Sequence, residues 1–222
     1  MTEPYDYGLW QLVLFHVALF IIFGLSFLRP GKGREWRSMG AFVAFVVALY
    51  TEMYGFPLTI YLLTAWLGRF PVVAPFAHAS GNLWASLVLG GWGAGLFMTL
   101  GGLVILLGMI VMGQGWRAIH AARGALVTSG IYGRIRHPQY AGIGLVILGA
   151  LIQWPTLLTL LMAPVLLASY MRLARREERE LEARFGEDYR TYRQQVPGFI
   201  PRWRPFHRRG RIPTPVSPES RS

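Results

Sequence analysis

Polar residues in this chain are gathered between long apolar runs instead of being interleaved with them. Residues 8–28 are interrupted only by His16 and closed by Arg29-Pro30. A second apolar run extends from Met39 to Leu67, a third from Leu83 to Met112, and a fourth from Tyr140 to Met171, split by Gln153-Trp154-Pro155. Apolar stretches of about 18 residues or more with few charges read as membrane-spanning helices. As one helix the second run would be roughly 43 Å long, and Gly55 and Pro57 inside it predict a kink or break. The third run reads as one tilted helix, because cutting it at Gly93–Gly95 leaves a piece too short for a ~30 Å hydrocarbon core. Gly91 and Gly95 have the spacing that permits close helix packing. The two legs of the fourth run would reach roughly 21 and 25 Å. They suit a helical hairpin with its Trp154 turn at the far interface, where Trp is favoured.

After the hairpin, residues 172–195 predict an amphipathic polar helix, and the basic, Pro/Ser-rich residues 202–222 predict a disordered tail. The expected fold class is an all-α integral membrane protein. It has five transmembrane helices, the last two a helical hairpin, plus a cytoplasmic C-terminal helix. Residues 1–113 form the N-terminal transmembrane helices, 114–201 a core of loop, hairpin and C-terminal helix, and 202–222 the tail.

Composition supports that class: 53% of residues are hydrophobic and only 15% charged, too apolar for a water-soluble domain of this length. The absence of Cys excludes disulfides, thiolate catalysis and Cys-based metal sites. His16, His78, His120, His137 and His207 show no ligand spacing, so no metal site is expected. The opening residues are acidic, unlike the basic start of a cleavable signal, so the first span is expected to be retained.

The net charge is +11, and its distribution orients the spans. Segment 29–38 carries +3, segment 114–138 carries +4, and 172–222 holds thirteen arginines against seven acids. A five-span arrangement with the N-terminus outside puts every strongly basic segment on the cytoplasmic side, as the positive-inside rule requires. Nucleic acid is not needed to explain the charge. Segment 69–82, with Arg69 alone, then lies outside.

The hairpin returns the chain to the face it left, so Arg136-His137-Pro138 and Arg175-Arg176-Glu177-Glu178 converge at a water-accessible membrane edge. There a soluble cofactor could meet a lipid-dissolved substrate. Glu52 is the one acid inside a span, and intramembrane acids are functional candidates because burying their charge is costly. The alternative is a protonated or His16-paired helix contact. Tyr189 and Tyr192 read as packing residues.

These residues carry a resemblance. Leu-Val-Thr-x-Gly-x-Tyr and Arg-His-Pro-x-Tyr within 125–142, then Glu177-Glu178, Phe-Gly-x-x-Tyr and a late Ile-Pro, resemble the isoprenylcysteine carboxyl methyltransferase family, which shades into phospholipid methyltransferases. The likeness covers about residues 114–201, which would be a methyltransferase core. It implies S-adenosyl-L-methionine as cofactor, held by Gly124, Ala125, Leu126, Val127, Tyr132, His137, Tyr140 and Glu177, with Glu178 and Gln114 as further candidates. Gly124 stands where the family has a His. The family's acceptor-site Arg aligns with Leu173, so Arg172 or Arg176 would orient the acceptor, with Glu52 as a further substrate-side candidate. Arg136 and His137 are the candidate catalytic residues. The partner implied is a lipophilic small-molecule or lipid acceptor at the cytoplasmic face.

Chemistry is compatible with that reading. Arg136 or His137 can pair with the cofactor carboxylate, and Glu177 can accept from its hydroxyls or ammonium. In-line methyl transfer needs positioning, and a water-poor pocket favours an anionic acceptor meeting a sulfonium. A carboxylate acceptor needs no general base, whereas a thiol or ammonium must first lose a proton. The alternative is a membrane NADPH-dependent reductase, since sterol reductases resemble this chain in the Arg-His-Pro-x-Tyr segment. They are longer, and no dinucleotide fingerprint occurs here. Orientation is testable because the chain lacks Cys. A single Cys at Ser129 or Ser217 should react only with reagents that reach the cytoplasmic side, and labelling from outside would overturn the topology.

Overall fold

Pro57 has no backbone N–H and cannot continue a helix through the second apolar run, so the chain breaks where the sequence suggested. The structure, a computed structural model, describes residues 8–28, 33–67, 91–122 and 124–201. Every regular element among them is helical. They are α1 (Trp10–Leu28), α2 (Gly33–Tyr54), α3 (Leu58–Leu67), α4 (Gly91–Ala121), α5 (Pro138–Gln153), α6 (Leu157–Phe185) and α7 (Glu187–Gln195), with a 3-10 turn at Gly130–Gly133. Segment 69–82, the start of the third run and the tail 202–222 lie outside the described residues.

The break has a polar brace. Glu52 accepts from the backbone N–H and hydroxyl of Thr59, both at 3.0 Å. Thr59 Oγ1 in turn accepts from the N–H of Leu157 at 3.0 Å. Thr156 and Thr159 cap the same end of α6 reciprocally, so N–H groups that a helix start leaves unpaired find acceptors. His16 does not pair with Glu52. Its Nδ1 bonds to Leu12 O at 2.9 Å and its ring stacks on Tyr50.

At the other end of α2, Tyr170 donates to the carbonyl of Ser38 at 3.1 Å, so α2 and α6 run antiparallel. Phe42, Phe45, Leu49 and Met53 of α2 share one core with Met112, Ile143, Ile147 and Leu166. The expected boundary at 113/114 therefore falls inside α4, which runs unbroken past Met112 to Ala121. The polar helix expected after the hairpin is also continuous with it. α6 runs to Phe185 and stops at Gly186, whose φ of 54° is strained for other residues, before α7 begins.

The tightest packing joins α4 to α5. A Cβ added to Gly108 would lie 2.6 Å from Gly142 O, and one on Gly101 would lie 2.6 Å from Gly149 O. Gly115 meets Pro138 in the same way. Glycines seven residues apart on α4 thus face glycines seven apart on α5, and backbone touches backbone. Gly95, expected to serve this purpose, has nothing within 4 Å of its Cβ position.

Large apolar side chains remain exposed on several helices, among them Leu14, Phe15 and Ile22 of α1, Leu103 and Leu106 of α4, and Leu161 and Val165 of α6. Such a surface suits lipid and not water. Among the described residues, Gly95–Ala121 and Leu157–Phe185 are long and apolar enough to cross a membrane. Trp10–Ser26 and Pro138–Gln153 are shorter apolar helices. Among the described residues the protein is all-helical, with two helices long and apolar enough to span a bilayer.

The α4–α5 contact predicts a specific sensitivity. Gly108→Ala and Gly142→Ala should each destabilise the protein by about 1–3 kcal/mol through overpacking, while Gly95→Ala should cause no loss. Thermal unfolding in detergent checks this, and equal tolerance at all three glycines would contradict it.

Candidate functional site

Pro138 opens α5 at a position where its missing N–H costs nothing, which leaves Arg136 and His137 at the foot of the hairpin. α6 brings Glu177 and Glu178 back to the same level. His137 Nε2 lies 2.9 Å from Glu178 Oε1, and Arg136 Nη1 lies 2.8 Å from that same oxygen. Arg193 of α7 adds a third neighbour and a second positive charge, its Nε 3.7 Å from Glu178 Oε2. Glu177 points differently: Tyr140 donates to its Oε1, and its Oε2 lies 4.0 Å from His137 Nδ1.

The two carboxylates have separate environments. The side chain of Glu178 is 11% exposed and that of Glu177 is 43% exposed. Glu178 is therefore committed to protein partners, whereas Glu177 lines a cavity of about 350 Å³ with Arg136, His137, Tyr140 and Arg184. A second cavity of about 220 Å³ adjoins it, lined by Gly124, Ala125, Leu126, Val127 and Phe185. Tyr132, Arg136, Ile119, Leu181 and Arg184 line both. Both are lined mainly by apolar surface, but the first also carries the charged side chains, and Arg136 is common to the two.

Arg136 has an unusual environment. Its Nε and Nη1 are buried without an aligned hydrogen-bond acceptor, although Nη1 is close enough to Glu178 for an ion pair. Leaving such donors unsatisfied is costly, and the buried Tyr189 hydroxyl beside the guanidinium is an acceptor within reach of it.

Burial is the main cause that lowers the His137 pKa below its ordinary 6.5. The bond to Glu178 opposes that shift and the Arg136 charge adds to it. The neutral imidazole then donates Nε2–H to Glu178 and turns a lone pair at Nδ1 towards Glu177 Oε2. Two acceptors so placed converge on a position suited to a ligand donor. Burial first, and the Glu177 charge second, push the Tyr132 hydroxyl far above its usual range, so it stays a donor.

A strap after α7 fixes the motif. Arg136 N–H donates to Pro197 O at 2.9 Å and His137 N–H to Gly198 O at 3.0 Å. The Phe199 ring stacks on His137 with centroids 5.3 Å apart. Tyr192 reaches back to the carbonyl of Tyr132 at 2.7 Å, and Tyr189 and Tyr192 are buried together, in keeping with a packing role.

The structure gathers Gly124, Ala125, Leu126, Val127, Tyr132, Arg136, His137, Tyr140 and Glu177 around the paired cavities. Gln114 is exposed on α4 and lines neither cavity. Glu52 bonds to Thr59, whose hydroxyl meets the start of α6, some twenty residues and about 30 Å along that helix from Glu178. It cannot share a small ligand with His137. Arg172 and Arg176 line a different cavity beside α2, so the structure does not bring them to His137 either. Sequence reading missed Arg184, Leu181, Arg193 and the Pro197–Phe199 strap. The positions 177, 181 and 184 fall on one helical face, a signal that could have found the first two.

The fold and site thus combine a helical hairpin with an apolar outer surface and a charged cluster at its foot, beside two adjoining cavities. Comparison with known proteins narrows the class. Residues 89–188 match the family model for phospholipid methyltransferase. The protein-S-isoprenylcysteine O-methyltransferase of Schizosaccharomyces pombe is 34% identical over 110 residues, 47% of each chain. The cobalt-zinc-cadmium resistance protein CzcN of Cupriavidus metallidurans is 33% identical over 141 residues, 61% of this chain and 63% of that protein. The chain thus spans between about half and two thirds of the length of these relatives. Through this region the chain is similar to the phospholipid methyltransferase family and to an isoprenylcysteine O-methyltransferase.

The buried imidazole has a pH consequence. Below its ordinary pKa the unfolded chain binds a proton at residue 137 more readily than the folded one. Stability from this group is therefore present above pH 6.5 and lost as pH falls through the lower folded-state value. His137→Gln, which cannot titrate, should flatten that limb of the stability–pH curve in denaturant titrations. An unchanged slope would exclude His137 as its source.

Proposed function

We propose that this protein transfers a methyl group from S-adenosyl-L-methionine to a lipophilic acceptor at the cytoplasmic membrane face. The observation that carries this reading is that Arg136 and Tyr132 line both the cavity holding Glu177 and His137 and the adjoining apolar one. That arrangement fits an amphipathic cofactor with a carboxylate at one end and an aromatic base at the other. Residues 89–188, with their methyltransferase relatives, point the same way. The comparisons give the reductase alternative no support.

Bound there, the cofactor would supply an electrophilic methyl group on a sulfonium. Arg136 holds the carboxylate through charge-assisted bonds. Glu177 and the His137 Nδ1 lone pair accept from the ammonium or a ribose hydroxyl, and Tyr140 fixes the Glu177 rotamer. Ala125, Leu126, Val127 and Phe185 enclose the base and exclude water. Glu178 acts through others as a positioning residue, holding Arg136 and His137 in register. Such a site contributes orientation and dryness rather than covalent catalysis.

An apolar acceptor dissolved in the bilayer would reach the hairpin foot laterally and present only its polar end. Five spans with the N-terminus outside and residues 114–138 and 172–222 cytoplasmic complete this arrangement. A carboxylate, an amine and a thiol remain compatible acceptors.

Equilibrium binding of labelled S-adenosylmethionine to the purified protein is the test. Arg136→Gln, His137→Ala and Glu177→Ala should each weaken binding by about 1–3 kcal/mol, while Arg208→Ala should leave it unchanged. Binding of reduced nicotinamide with no affinity for S-adenosylmethionine would overturn the proposal in favour of the reductase.

A further inference from the structure

A second cavity system lies on the opposite side of α6. A cleft of about 580 Å³ opens between α2 and α6, lined by Arg37, Arg172, Arg175, Arg176 and Arg179 with Ser38, Ala41, Ser169 and Leu173. Positions 172, 175, 176 and 179 share one helical face at i, i+3, i+4 and i+7. Glu177, Leu181 and Arg184, which line the cavity described above, fall on the other face. This cleft is therefore separate from the methyl-transfer site.

Its charge is poorly compensated. Arg176 pairs with Glu180 at 3.2 Å, and Arg179 Nε donates to the carbonyl of Arg175 at 3.4 Å. Among the described residues, Arg37, Arg172 and Arg175 make no ion pair. Gathering five guanidinium groups costs repulsion that an anion would relieve, and guanidinium forks match phosphate oxygens in geometry.

What lies below the cleft identifies the source of that phosphate. The same face of α6 continues towards the membrane interior through Val165, Leu161 and Leu158, which are 64%, 72% and 44% exposed. A single stripe thus changes from open aliphatic surface to clustered arginine where α6 leaves the bilayer. Its length and polarity match a phospholipid lying along the helix, acyl chains on the leucines and phosphate among the arginines. A soluble phosphate would have no use for the lower half.

We infer that the α2–α6 cleft is a binding site for an anionic membrane phospholipid, held by Arg37, Arg172, Arg175, Arg176 and Arg179 and by the aliphatic stripe beneath them. The lipid cross-braces the two helices at their cytoplasmic ends, beyond the Tyr170–Ser38 hydrogen bond. It does not depend on the methyl-transfer reading.

Native mass spectrometry of the full chain, released from mixed micelles containing phosphatidylglycerol or phosphatidylcholine, tests this. The wild type should retain phosphatidylglycerol several-fold better than phosphatidylcholine. Arg175→Gln with Arg179→Gln should lose that preference, whereas Arg175→Lys with Arg179→Lys should keep most of it. Helix content by circular dichroism separates a lost site from a lost fold. Leu161→Asn with Val165→Asn should lower retention of both lipids. Equal retention of the two lipids by the wild type, or an unchanged preference in the Gln pair, would overturn the proposal. Displacement of phosphatidylglycerol by millimolar inorganic phosphate would overturn it in favour of a soluble anion.

Discussion

A carboxylate withdrawn from water must find positive or donating partners, because the low-dielectric interior penalises an uncompensated charge by several kcal/mol. Glu178 meets that demand with His137 and Arg136 from the far side of the hairpin turn, and Arg193 from α7. The constraint fixes more than one side chain. It sets how far α6 returns relative to α5, where the Arg-His-Pro segment sits, and where α7 must dock. Removing Glu178 would leave an imidazole and a guanidinium buried without their shared carboxylate, held only by the Pro197–Phe199 strap. Glu177, one residue earlier, is then turned by helical geometry towards the cavity instead of the clamp.

The apolar half of the molecule supports this clamp through contact of another kind. Lipid offers no hydrophobic gain for helix association, so close backbone approach must do the work. Gly101 and Gly108 against Gly149 and Gly142 provide it, and Gly115 makes room for the Pro138 ring. Their approach brings the end of α4, with Ile119, beside the hairpin foot, where it lines both cavities. At the opposite end, Glu52, Thr59 and the α6 cap tie the break in the second apolar run to the hairpin turn. α6 is therefore anchored at its start by one polar network and near its end by another.

α6 also separates two chemistries. One face carries Glu177 and Arg184 towards a small mixed cavity, and the other carries a row of arginines towards α2. A continuous helix through the membrane boundary makes this possible. A flexible joint after Met171 would let the two faces rotate independently of the hairpin, and the clamp at Glu178 would lose its fixed base.

Local signals in the sequence were enough to determine the apolar runs, the breaks at Gly55–Pro57 and Gln153–Pro155, and the convergence of Arg136, His137 and Glu177. Each follows from composition, from proline's missing donor, or from the fact that a hairpin returns to its starting face. The sequence could not assign Glu52, because an intramembrane acid looks the same whether it binds a substrate or caps a helix. Its bonds to Thr59 and its distance from the hairpin foot are visible only in the folded chain. Arg172 and Arg176 sit within a turn or two of Glu177 in sequence, and which way they face depends on how α6 is rotated against α2 and α5. That rotation was set by packing among side chains far apart in the chain. The same holds for the glycine contact, where Gly95 and Gly108 are equivalent as residues and differ only in what lies opposite. Periodicity is written locally, but the partner across each interface is a property of the folded molecule.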